Sequence, residues 1–108
     1  MKPNRHPSQT EQARAENALF RAVISLQSVE ECGRFFRDLC TPAELQALVD
    51  RWQVVAYLER GLPYREIHDL TGVSVTTIGR VARFLADGYG GYGIALSRSA
   101  GTGDDAAT

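Results

Sequence analysis

Apolar residues along this chain recur at helical spacing, and the register changes wherever a glycine, proline or serine interrupts it. Leu19, Ala22, Val23 and Leu26 form one stripe and predict a first helix from about Glu11 to Leu26. Ser28 and Glu31 then form an S-x-x-E capping box ahead of a second helix, whose apolar set is Val29, Cys32, Phe35, Phe36 and Leu39. Thr41-Pro42-Ala43-Glu44 gives a second capping box with proline at the first helical position. The third helix it opens should run to about Arg60, with Gly61 as a left-handed stop. That helix carries Leu45, Leu48, Val49, Trp52, Val54, Val55, Ala56, Tyr57 and Leu58, so its C-terminal half is apolar almost all round. A helix of that kind needs neighbours on most sides. A single copy of a 108-residue chain offers little such cover, which predicts a homodimer.

The stretch RGLPYREIHDLTGVSVTTIGRVARFLA, residues 60–86, holds two helical registers separated by a break. Ile67 and Leu70 sit on a first short helix, Gly72 falls where a tight turn needs positive φ, and Ser74 is an N-cap for the next helix. From Val75 onward, Ile78, Val81, Ala82 and Leu85 form the buried stripe, while Val75, Thr76, Arg80 and Arg83 point the other way. That is a helix-turn-helix at 64–86 whose second helix presents small, polar and cationic side chains, as a major-groove reader does. The DNA-contacting set expected from it is Tyr64, Arg65, Ser74, Val75, Thr76, Thr77, Gly79, Arg80 and Arg83.

Outside these elements, residues 1–10 read as a flexible cationic arm and 99–108 as a disordered tail, leaving 11–98 as the helical domain. The glycines of ADGYGGYG argue against a stable helix after Leu85, and Ile94–Arg98 is expected to be a single closing turn packing Ile94 and Leu96. Net charge is only −1, yet between Arg60 and Arg83 the four cations Arg60, Arg65, Arg80 and Arg83 stand against just Glu66 and Asp69. Screening makes that local balance matter more than the total. No apolar run approaches the roughly 20 residues needed to cross a bilayer, and the N-terminal segment is not a secretory signal. The chain therefore reads as cytoplasmic, with no membrane partner, and Cys32 and Cys40 read as packed thiols. There is no glycine-rich phosphate cradle, no metal constellation and no evident acid–base pair, so neither catalysis, metal nor cofactor is expected.

The run GVSVTTIGRV resembles the reading segment of the lactose-repressor family, with His68 standing where such motifs usually have alanine. Over residues 17–96 the chain resembles the tryptophan repressor superfamily, most closely its YerC/YecD group. The SVEEC…FF.DLCT segment, the GxxYxEI start and the glycines around GGY carry that likeness. The resemblance implies an all-α fold, an intertwined homodimer with projecting helix-turn-helix heads, and double-stranded DNA as partner. It also implies a corepressor pocket, to which Thr41, Arg51, Thr77 and Arg80 correspond. Two positions depart: Val81 stands for a glycine that leaves space for the indole, and Phe84 for a serine that contacts the amino group. Thr41 and Arg51 are thus candidate ligand contacts in a pocket that Val81 and Phe84 are expected to fill, at a cost above about 1–3 kcal/mol for any indole placed there. The function expected is a sequence-specific transcriptional regulator, a repressor reading a palindromic operator through the helix at 75–86 without tryptophan. The alternative is a helical protein-interaction module of a transcription complex that does not itself read DNA.

Overall fold

The computed structural model describes residues 8–99. The described residues form six helices: α1 (Gln9–Ile24), α2 (Val29–Leu39), α3 (Pro42–Glu59), α4 (Tyr64–Thr71), α5 (Val75–Asp87) and α6 (Gly91–Ser99). They divide into two compact units, one through Thr41 and the other from Pro42 onward.

In the first unit, α1 begins two residues before the expected Glu11. Ser8 and Glu11 make a reciprocal capping box, with Glu11 N–H donating to Ser8 Oγ at 3.1 Å and Ser8 N–H to Glu11 Oε1 at 3.0 Å. Residues 9 and 10, expected in the N-terminal arm, are thus helical, and residues 1–7 lie outside the described ones. The helix stops at Ile24 rather than Leu26, where Ser25 Oγ donates to the Ala22 carbonyl. α2 starts where its serine predicts, with Glu31 N–H donating to Ser28 Oγ. The Glu31 carboxylate reaches one residue further back than a capping box requires and accepts from Gln27 N–H. Neither helix buries a residue, and Ile24 and Val29 are 81% and 90% exposed.

The second unit holds the core. Val54 and Val55 of α3, Ile67 of α4, Val73 of the turn, and Ile78 and Val81 of α5 are buried together. α3 ends in a Schellman motif: Gly61 at φ 81° donates to the Leu58 carbonyl, and Leu62 N–H reaches back to Tyr57. This turn places Leu62 beside the core and reverses the chain into α4. Tyr57 and Leu58 of α3 pack half-buried against this core, whereas Leu48, Val49 and Trp52 remain exposed in the single chain.

The C-terminal part corrects the sequence reading. Instead of one closing turn at 94–98, a nine-residue helix spans Gly91–Ser99. Gly88 and Gly90 lie outside it, and Gly90 takes φ 85° in the connecting loop. Gly91 and Gly93 each cost about 1 kcal/mol relative to alanine in a helix. Tyr92 and Leu96, one helical turn apart, offset that cost by packing on the core. Ile94, expected to pack, is exposed instead.

Candidate nucleic-acid interface

The geometry of α4, the turn and α5 follows from four local devices. Gly72 ends α4 at φ 76°, a left-handed conformation that a side chain would strain, and its N–H donates to the His68 carbonyl at 2.8 Å. Thr71 Oγ1 donates to the Ile67 carbonyl and accepts from Val73 N–H, so one hydroxyl serves both sides of the turn. His68 Nδ1–H donates to the Val73 carbonyl at 2.8 Å; a carbonyl only accepts, so the bond fixes which ring nitrogen carries hydrogen. Ser74 caps α5 by accepting from Thr77 N–H at 3.1 Å, and its own hydroxyl donates to Thr77 Oγ1 at 3.0 Å. With Val73 buried beneath it, the turn has little freedom left.

α5 is then divided lengthwise. Ile78 and Val81 are buried and Ala82 and Leu85 half-buried, in agreement with the expected stripe. Ser74, Val75, Thr76, Arg80 and Arg83 are exposed, as are Tyr64 and Arg65 at the start of α4. Thr77 and Gly79 are half-buried, the first tied to its cap and the second beside the Tyr64 ring. A side chain at Gly79 would meet that ring at an ordinary 3.9 Å, so α4 and α5 do not require glycine there. Tyr64, Arg65, His68, Asp69 and Val75 line an open depression of about 510 Å³ along the outer side of the pair. His68 was noticeable in the sequence only as a departure from alanine; its partner lies across the turn, which no periodicity reveals.

Behind α5 lies a second cleft of about 480 Å³, lined by Arg51 of α3, Arg80, Val81 and Phe84 of α5, and Tyr89, Gly90, Gly91 and Tyr92. Val81 and Phe84, placed by the sequence in the space of a bound indole, form one wall of this cleft rather than filling it. The Arg80 guanidinium lies 5.1 Å from the centre of the Phe84 ring, within cation–π range. Tyr92 forms the floor on the α6 side, its ring centre 6.4 Å from that of Trp52. Thr41 is exposed at the residue before α3. Among the described residues no cluster of His, Cys, Asp or Glu could hold a metal ion, and no helix is long and apolar enough to cross a membrane.

A short helix, a three-residue turn and a second helix with a polar outer edge, all seated on a long apolar helix, define an all-helical protein with a helix-turn-helix arrangement. The Trp repressor protein family matches residues 15–100. YerC of Bacillus subtilis (strain 168), itself uncharacterized, is 46% identical over 80 residues, which cover 74% of this chain and 77% of YerC. Two solved structures share the fold. A TrpR-like protein from Eubacterium eligens ATCC 27750 is 36% identical with a TM-score of 0.77. A candidate Trp repressor from Staphylococcus aureus is 39% identical with a TM-score of 0.76; each alignment covers 85% of this chain and 94% of the other. The chain belongs to the Trp repressor family and is related to its YerC-like members. The family takes its name from the Trp repressor protein, a regulator.

Proposed function

We propose that this protein is a homodimeric, sequence-specific binder of double-stranded DNA that regulates transcription, as a repressor, by inserting α5 into the major groove. The observation that carries this reading is the lengthwise division of α5. Thr76, Arg80 and Arg83 are exposed on a helix whose opposite side, Ile78 and Val81, is buried against α3 and α4. Ser74, Val75, Thr77 and Gly79 stand at the N-terminal end, where a reading helix meets base edges. Tyr64 and Arg65 lie at the start of α4, in position for phosphates. Two such heads on a symmetric dimer would enter successive major grooves about 34 Å apart and favour a palindromic operator.

The same reading has operator binding proceed without tryptophan. The cleft behind α5 has room for a small ligand, so space alone does not decide the matter. Its lining offers two guanidiniums and no carboxylate, which leaves an amino acid's ammonium group without an ionic partner. Isothermal calorimetry should detect no micromolar binding of L-tryptophan; a micromolar isotherm ends this part of the proposal.

Selection of bound duplexes from a random pool tests the whole reading. The expected product is a two-fold symmetric site with half-site centres about 10 base pairs apart, bound with an affinity that falls steeply with salt. The alternative, a helical module that binds another protein, draws on the exposed apolar residues of α1 and α2. It predicts no enriched duplex and an association little affected by salt.

A further inference from the structure

We propose that Tyr89 is a hinged lid, swinging on its flanking glycines into the cleft behind α5 and linking α5 to α3 through Arg80 and Arg51. Tyr89 stands at the rim of that cleft with its side chain 100% exposed. Large apolar rings gain by leaving water, and the nearest shelter is the 480 Å³ space that this residue already borders. Arg51 faces that space half-buried, its side chain making neither a hydrogen bond nor an ion pair among the described residues. A tyrosine entering there would give its guanidinium both a ring face and a hydroxyl acceptor. It would also come up to the Arg80 guanidinium, which borders the same cleft and already lies over the Phe84 ring.

The backbone supplies the means. Gly88 precedes Tyr89, and Gly90 and Gly91 follow it, so the peptide units on either side can turn without a Cβ in the way. Gly90 already holds φ 85°, and nothing stands within 4 Å of where its Cβ would lie. Gly88 is held more tightly, because its N–H donates to the Phe84 carbonyl at 2.9 Å. The hinge is therefore anchored at the α5 end and free at the α6 end. Because Arg80 and Phe84 belong to the helix that carries Thr76 and Arg83, a closed lid would limit how α5 tilts on α3. That consequence, unlike the closure itself, rests on the proposed reading of DNA.

The test is solution NMR on the full chain without DNA. Nuclear Overhauser contacts from the Tyr89 ring protons to the Val81 methyls and the Phe84 ring are expected. Their absence, with Tyr89 at random-coil shifts, overturns the lid, and so do contacts found by isotope filtering only to a second copy. A second arm uses Tyr89→Ala, in which selected-duplex affinity should fall about three- to tenfold while the far-UV helical signal stays that of wild type. Unchanged affinity overturns the coupling to α5. If the wild type binds no duplex at all, the DNA reading fails, and the NMR contacts still decide the lid.

Discussion

His68 illustrates what one side chain contributes to the turn between α4 and α5. Its Nδ1–H satisfies the Val73 carbonyl at 2.8 Å, so the imidazole bonds across the turn that sets the direction of α5. His68→Ala should cost about 0.5–1.5 kcal/mol, the usual net contribution of such a bond, in urea melts followed by circular dichroism. An unchanged midpoint would mean that water replaces the ring without loss. Gly88 is constrained more severely, because the obstacle to a side chain there is the backbone of Phe84 and cannot rotate aside. Gly88→Ala should destabilise by about 1–3 kcal/mol, whereas Gly91→Ala, at a position open on all sides, should not. The sequence marked His68 only as a departure from alanine, without its partner, and for the glycine it suggested the wrong reason. The glycines of GYGGYG read as helix breakers, yet one of them is required by a neighbouring carbonyl and two lie inside α6.

At the scale of elements, legibility followed the range of the interaction that decides each boundary. The end of α3, the turn and the start of α5 were readable because Gly61, Gly72 and Ser74 bond to backbone groups within five residues of themselves. α6 was not, because its helix depends on Tyr92 and Leu96 meeting a core assembled from α3, α4 and α5. The cleft was half readable: sequence identified Arg51, Arg80, Val81 and Phe84, and could not show that Tyr89 and Tyr92 complete it. The cap of α5 offers a direct test of local control. Ser74→Ala leaves the Thr77 amide without its acceptor and should cost about 1 kcal/mol. For a domain of this size that is a fall of about 4–8 °C in melting temperature. Ser74→Asp, which keeps the cap, should restore most of it. The aspartate would still weaken duplex binding, because it brings a negative charge to the end of α5 that is proposed to meet DNA. Stability and affinity would then separate in a single pair of variants.

For the whole molecule, the question is what stabilises the first unit. α1 and α2, of 16 and 11 residues, bury no side chain, and isolated helices of that length are marginal in water. Well-formed caps on both do not make up that difference, since a cap contributes about 1 kcal/mol. Leu19, Phe20, Ile24 and Val29 on these helices, and Leu48, Val49 and Trp52 on α3, are all exposed in the single chain. Burying such residues is worth about 1.5–3 kcal/mol each, so the apolar surface left open is large beside the few kcal/mol of a small domain's stability. A second copy of the chain is the proposed cover, and it also supplies the second reading head. The two roles can be broken together. Phe20→Glu combined with Ile24→Glu should convert the protein from dimer to monomer in sedimentation equilibrium at micromolar concentration. The same variant should lose helical signal disproportionate to two surface changes, because the unit that loses its cover has no core of its own. Operator affinity should then collapse by far more than Arg80→Ala costs, roughly tenfold from one lost guanine or phosphate contact of about 1–3 kcal/mol. If the double variant stays dimeric and keeps its ellipticity, the apolar side chains of α1 are not the seam, and the cover must come from α3 or from another protein.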